Sequence, residues 1–169
     1  MEGNDMKPMK IALIHPGRGK TYQETIENLQ HANDACQRIR WEGHIPVAPL
    51  VAFHDFGWLD ESEPGHREAG LAAGHAILKG CGLDAAILYR HDIIHYGAGN
   101  TEGMIADLRE IEGTVVDFMM IEPAYRANLP SVIHVLESAH QIRLEQDADA
   151  ERARRVVAAM PELESAKDE

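Results

Sequence analysis

The sequence predicts an α/β fold with a mainly parallel, doubly wound sheet and a helical C-terminal tail. Short apolar runs, typical of buried strands, alternate with longer segments in which apolar residues recur at helical spacing. Alternation at these lengths is typical of parallel strands joined by helices. The composition agrees, because 44% of the residues are hydrophobic but only 5% are aromatic, so aliphatic side chains and alanine must pack the helices onto the sheet.

The first strand and helix give the clearest local signals. The apolar residues 11–14 predict a buried strand, which ends before Pro16 and Gly17. Thr21 is a suitable N-cap for the helix that follows, because its hydroxyl can accept a hydrogen bond from the first turn. The apolar positions of this helix continue up to Gly43, where the helix is predicted to stop.

The next elements continue the alternation. Residues 45–49 predict a short strand weakened by its two prolines, and residues 50–65 predict an irregular crossover of the kind that often covers a site. Beyond this crossover the sequence predicts a helix at 67–79, a strand from Ala85, a helix from Thr101 and a strand at 114–119.

The C-terminal part of the chain predicts helices alone. Apolar spacing beyond Pro130 indicates one helix to Ile142, and a second, strongly charged helix follows at 148–160. We therefore expect a flexible leader at 1–9, a domain at 10–125 and a helical extension at 126–169. The last helix suits either a contact between copies of the chain or a solvated helix that frays after Pro161.

Length and charge restrict the partners. The chain has 169 residues, which fits one domain, and its formal net charge is −12. This charge disfavours nucleic acid as a partner, because phosphate backbones are bound by clustered lysine and arginine. We expect no membrane partner and a cytoplasmic location, since the sequence has neither a long apolar run nor a signal peptide, and Cys36 and Cys81 lack the spacing of a disulfide framework.

Two glycine-bearing loops are the strongest indication of a ligand site. The first loop is HPGRGK at 15–20, and the second contains GAGN at 97–100. Thr101 then begins a helix that carries Asp107. Open α/β sheets bind ligands outside the carboxyl ends of their strands, so we expect both loops to face one pocket with a hydroxyl and a carboxylate.

The first loop resembles the end of a phosphate-binding P-loop. The full pattern GxxxxGK[ST], anchored on Gly19, requires a first glycine at position 14, which is Ile14. We therefore do not expect a nucleoside triphosphatase. Backbone N–H groups with Arg18 or Lys20 suit a single phosphate instead, and the alternative is a tight turn with exposed basic side chains.

Residues 91–95, HDIIH, resemble the zinc signature HExxH. An aspartate replaces the glutamate that activates water, and the glycines that follow are poor helix formers. We therefore predict no metal, and the reaction considered below requires no organic cofactor. His91 and His95 are interpreted as loop residues that contact solvent or ligand.

Asp107 has two interpretations that the residues alone leave open. A carboxylate at the mouth of the sheet can attack or stabilise an electron-poor carbon, as in glycosyl transfer. Alternatively, Thr101 only caps the helix and Asp107 is an ordinary charged residue.

The order of these motifs resembles the nucleoside 2-deoxyribosyltransferase-like superfamily, in its uncharacterised bacterial and phage branch. The resemblance covers residues 10–119. Its motifs are IHPGRG at 14–19, Asn28 and Ala32 in the first helix, GHIPVAP at 43–49, REAGL at 67–71, the run 78–84, and TEGM at 101–104 leading to Asp107.

The resemblance implies a Rossmann-like three-layer sandwich that forms a homodimer or a higher homo-oligomer. It places Asp107 where characterised members carry the glutamate that attacks C1′ of a deoxyribosyl group. Because aspartate is one methylene shorter, either the backbone compensates, Asp107 has another role, or catalysis is lost; Glu102 is a less suitable substitute. The implied substrate-binding residues are His15, Gly17, Arg18, Gly19, Thr101, Gly103 and Met104.

The sequence therefore predicts cleavage or transfer of the N-glycosidic bond of a nucleoside, deoxynucleoside or nucleoside 5′-monophosphate. Asp107 is the predicted catalytic residue, and the partner is a small molecule. Two alternatives are a nucleotide-binding or regulatory module without a working nucleophile, and a structural oligomer whose helical tail is the functional surface.

Overall fold

The computed structural model of the chain describes residues 7–17, 19, 21–55, 65–89, 104, 106–107, 109–112, 117–121 and 128–165. The strands are β1 (Lys10–Ile14), β2 (Ile45–Val47), β3 (Ala85–Tyr89) and β4 (Asp117–Ile121). The helices are α1 (Tyr22–Trp41), α2 (Pro49–Asp55), α3 (His66–Gly80), α4, which denotes the helical residues 104, 106–107 and 109–111, and α5 (Leu129–Ser165).

The strands form one parallel sheet, which confirms an α/β fold with a parallel sheet and a helical C-terminal region. The four described strands have the order β2-β1-β3-β4, and every neighbouring pair is parallel. The register pairs Ile14 of β1 with Leu88 of β3. Because β2 lies on one side of β1 and β3 on the other, the chain reverses its direction across the sheet between β2 and β3.

Alternate strand residues pack into two separate hydrophobic clusters. Ile11, Leu13, Ala85 and Ile87 belong to the first cluster, together with residues of α1 and α5. Ala12, Ile14, Ala86 and Leu88 belong to the second cluster, together with Leu78 of α3 and with Met104 and Ile111. Successive side chains of a strand point to opposite faces, so both faces of this sheet are buried.

Helix α1 begins and ends where the sequence predicts. The Thr21 side chain accepts a hydrogen bond from the Glu24 N–H, and the Glu24 side chain accepts one from the Thr21 N–H, so the helix starts with a reciprocal capping box. Leu29, Ala32 and Cys36 are buried on one side of α1. The chain leaves the helix at Gly43, whose φ of 89° favours glycine.

The crossover after β2 differs from the prediction. Residues 50–65 were expected to be irregular, but Pro49–Asp55 form helix α2. Proline fits the first turn of a helix, where its missing N–H would have no partner, so Pro49 starts this helix rather than extending the strand. Residues 56–64 lie outside the described part of the chain.

The C-terminal region also differs, because the two predicted helices are one. Helix α5 has 37 residues and continues past Pro161 to Ser165. Residues 143–147, RLEQD, contain neither glycine nor proline, so nothing in this segment ends the helix. The predicted strand at 114–119 is observed at 117–121.

The beginning of α5 is buried in the core. Leu129, Ile133 and Leu136 pack in the first cluster with β1, β3 and α1, whereas Gln141 and Ile142 are exposed. Near the start of the chain, Met9 is also buried, although it was predicted to belong to the leader. Its N–H donates a hydrogen bond to His44 Nδ1 at 3.2 Å. None of the described helices is both long enough and apolar enough to cross a membrane.

Candidate functional site

The two predicted loops leave the sheet from neighbouring strands. Ile14 and Leu88 are paired, so the residues that follow them start at the same edge. The rings of His15 and Tyr89 pack there with their centroids 4.9 Å apart and their planes at 45°. The strands that precede the two loops are therefore adjacent and parallel, and the expectation that both loops face one pocket stays a prediction. Arg18, Lys20 and residues 90–103, which include Thr101 and Gly103, lie outside the described part of the chain.

The first loop is fixed to the beginning of α1. His15 is buried, and its Nδ1 donates a hydrogen bond to the Pro16 carbonyl at 2.8 Å, so the ring carries hydrogen on Nδ1. The Gly17 carbonyl accepts a hydrogen bond from Asn28 at 3.3 Å, and the Gly19 N–H donates to the Thr25 hydroxyl at 2.9 Å. These bonds use polar groups of the loop to hold it in place.

Gly19 is packed too closely to carry a side chain. A β-carbon at this position would lie 2.2 Å from the Glu24 β-carbon and 2.8 Å from backbone atoms of Glu24 and Thr25. Gly17 is less restricted, because a β-carbon there would meet only the flexible end of Leu50, at 2.7 Å. Gly19, one of the predicted substrate-binding residues, thus has a clear structural role.

We expect Gly19→Ala to lower the free energy of unfolding by about 1–3 kcal/mol, because the backbone of α1 must move to admit the methyl group. Gly80→Ala is the matched control, since nothing lies within 4 Å of a β-carbon at Gly80 in α3. This second substitution should raise the free energy of unfolding by about 0.5–1 kcal/mol. Urea unfolding measures both, and a Gly19→Ala protein as stable as the wild type would contradict the close packing at Gly19.

Asp107 lies on α4 and faces α3. Its Oδ1 is 3.0 Å from Nε2 of His75, and the two side chains are 30% and 21% exposed. Burial raises the pKa of Asp107 above its ordinary value; the charge and hydrogen bond of His75 oppose this shift, and the charge of Glu110 adds to it. Asp107 is therefore a partly buried carboxylate that is hydrogen-bonded to His75. Met104, a predicted substrate-binding residue, is buried in the second cluster.

Two further charged residues lie beside this pair. Oε1 of Glu110 is 3.8 Å from Nδ1 of His75, and its Oε2 forms an ion pair with Lys79 of α3. The hydrogen bond from Lys79 holds the pKa of Glu110 below its usual range. The cluster thus joins α3 and α4 through alternating acidic and basic groups.

His75 is the residue that sequence reasoning missed. In the sequence His75 lies between Leu71 and Leu78 at helical spacing, on the apolar face of this helix. A histidine within an apolar stripe was the available signal, but its partner is 32 residues away in the sequence. The pairing becomes visible only when α3 and α4 are placed side by side.

A cavity of about 390 Å³ opens on the other face of the sheet. Its lining residues are His31, Asp34, Ala35 and Arg38 of α1, Tyr89 of β3, and Leu129 and Pro130 of α5. Nη2 of Arg38 pairs with Glu42 at 2.9 Å, whereas its buried Nε has no hydrogen-bond partner among the described residues. Asp107 does not line this cavity, so the described residues form two separate polar sites.

No group of three or more His, Cys, Asp or Glu side chains is arranged to hold a metal ion among the residues that the structure describes. His91 and His95, the pair in the predicted loop, are outside them. The absence of a metal and of a cofactor stays a prediction.

Comparison with known proteins gives one match. A family model described as Domain of unknown function (DUF7768) matches residues 10–121. This span runs from the first residue of β1 to the last residue of β4 and includes Asp107, His75 and both loops. No curated protein and no solved structure matches the chain.

Proposed function

The chain belongs to DUF7768, a family of domains of unknown function, and we propose that it cleaves or transfers the N-glycosidic bond of a nucleoside or nucleoside 5′-monophosphate. The observation that carries the proposal is the strand order. From β1 the chain continues to β2 on one side of the sheet, and from the adjacent strand β3 it continues to β4 on the other side. The carboxyl ends of β1 and β3 therefore form a switch point, which is where open α/β sheets bind ligands. The beginning of the first loop and the packed rings of His15 and Tyr89 lie there.

The proposed reaction uses Asp107 as nucleophile or charge stabiliser. A carboxylate oxygen attacks the anomeric carbon while the bond from that carbon to the base breaks, and water or a second base then accepts the sugar. Arg18 and the first loop hold the phosphate or the sugar hydroxyls, and Thr101 binds the same group. Asp107 suits this role because it is partly exposed and held by His75.

The proposed fold is a three-layer Rossmann-like sandwich of the nucleoside 2-deoxyribosyltransferase-like kind. Two hydrophobic clusters on opposite faces of the sheet support it, since one contains residues of α1 and α5 and the other contains residues of α3 and α4. We also propose a homo-oligomer in the cytoplasm; Cys36 and Cys81 are not joined in a disulfide, which suits a reducing compartment.

The direct test is incubation with a panel of nucleosides, deoxynucleosides and their 5′-monophosphates. We expect free base to accumulate with at least one of them, and liquid chromatography measures it. Addition of a second base separates the two reactions, because a transferase then forms a new nucleoside and a hydrolase does not. If no member of the panel releases base, the proposal fails.

A second function, nucleotide binding without catalysis, is favoured by the cavity beside α1. Its volume of about 390 Å³ is within the range of small-molecule sites, and Asp107 is not among its lining residues. A nucleotide that raises the melting temperature without releasing base would support this function, because a ligand bound only to the folded state stabilises it. Loss of that stabilisation in Arg38→Gln, but not in the exposed Arg40→Gln, would place the ligand in the cavity.

A further inference from the structure

The pairing of His75 with Asp107 fixes which atoms face each other. An ionised carboxylate only accepts hydrogen bonds, so Nε2 of His75 carries the hydrogen and donates it to Oδ1 at 3.0 Å. Within the described residues Oδ2 has no hydrogen-bond partner. One carboxylate oxygen is therefore held by α3, and no residue in the described part of the chain holds the other.

The second nitrogen of His75 faces a negative charge but does not form a hydrogen bond with it. Nδ1 is 3.8 Å from Oε1 of Glu110, which is beyond hydrogen-bond distance. Glu110 is itself paired with Lys79, which is one helical turn after His75 on α3. The described titratable groups around the imidazole are thus Asp107, Glu110 and Lys79. Asp107 contacts Nε2, Glu110 faces Nδ1, and Lys79 pairs with Glu110.

We propose that His75 is the positioning residue of Asp107: by holding Oδ1 it presents Oδ2 to the anomeric carbon of the substrate. This inference rests on the proposed function. Oδ2 forms the new bond to the anomeric carbon as the bond to the base nitrogen breaks. The electron pair of the broken bond stays on the base, which takes a proton from water.

The length of the side chain explains why such support matters. Aspartate is one methylene shorter than the glutamate of similar enzymes, and nucleophilic attack depends strongly on the distance and angle of approach. A hydrogen bond from a neighbouring helix restricts the rotation of the carboxylate. The carboxylate is then already oriented before the substrate binds. Because the bond joins α3 to α4, it also ties the position of Asp107 to the packing of these helices.

The test compares His75→Phe, which keeps a ring but removes the donor, with His75→Gln, which retains an N–H donor. We expect His75→Phe to lower kcat by about tenfold or more and to change KM by less than about twofold. His75→Gln should recover most of the lost kcat. His66→Gln, an exposed histidine on the same helix, is the control and should leave kcat unchanged. Unchanged kcat in His75→Phe would overturn the inference.

The pH profile separates positioning from a merely structural role. His75 lowers the pKa of Asp107, so its loss should raise that pKa and move the acidic limb of kcat/KM to higher pH. The same shift can be measured without catalysis, from the titration of the Asp107 carboxyl carbon by NMR. If the wild-type protein releases no base, the proposed function fails by itself. If the pKa of Asp107 is the same in His75→Phe, the inference about His75 fails whether or not base is released.

Discussion

Substituting Asp107 by asparagine is expected to lower the kcat of base release by about a hundredfold or more, because an amide cannot attack the anomeric carbon or balance its positive charge. Asparagine has nearly the same shape and keeps an oxygen that can accept the hydrogen bond from His75. The loss therefore reports the missing charge rather than a disturbed contact. Chromatography of the free base at saturating substrate measures it.

The matched control is Glu112→Gln, which removes an exposed carboxylate shortly after Asp107 and should leave kcat within about twofold of the wild type.

Thermal unfolding checks that the Asp107→Asn protein is folded. Burial raises the pKa of Asp107 in the folded state, so the folded protein binds this proton more tightly than the unfolded chain does. The stability contributed by the protonated group is then lost as the pH rises through that pKa. At neutral pH the ionised, partly buried carboxylate therefore destabilises the folded protein. Asparagine has no charge and removes this penalty, so the melting temperature should not fall.

Asp107→Glu distinguishes an adapted site from a decayed one. A gain of activity would mean that the shorter side chain limits catalysis, whereas a loss would mean that the site is built around aspartate with His75 as its support. Equal base release by the wild type and Asp107→Asn would contradict any role for this carboxylate in the reaction.

The sequence predicts the sheet well because its signals are local. The apolar runs of β1 and β3, the capping pair of Thr21 and Glu24, and the stop at Gly43 each depend on a few adjacent residues. The carboxyl ends of β1 and β3 lie at one edge because the two strands are parallel, which the alternation of strands and helices predicts.

Helices α2 and α5 show where local signals are insufficient. Pro49 is compatible with a strand end and with a helix start, and only the fold decides between them. The segment 143–147 lacks apolar spacing but also lacks a helix breaker, so its helicity depends on the turns on both sides. The contact of His75 with Asp107 and the cavity beside Arg38 depend on helix packing, which no periodic pattern specifies.

Replacing Ile133 by alanine is expected to lower the free energy of unfolding by about 2–5 kcal/mol. Ile133 is 0% exposed and packs with the central strands and α1, so removal of its side chain leaves a cavity that the rigid sheet cannot close. Urea unfolding measures the loss. Val135→Ala and Ile142→Ala are the controls on the same helix, since these side chains are 50% and 55% exposed and should each cost less than about 1 kcal/mol.

The same argument assigns the beginning of α5 to the core of the domain, although the family match ends at Ile121. A chain that ends at Ile121 lacks Leu129, Ile133 and Leu136 and is expected to lose cooperative unfolding, because one side of the first cluster is then open to water. A chain that ends after Gln146 keeps all three and should unfold at nearly the same urea concentration as the full chain. A loss of less than about 1 kcal/mol in Ile133→Ala would contradict this assignment and would make α5 an appendage of a self-sufficient sheet.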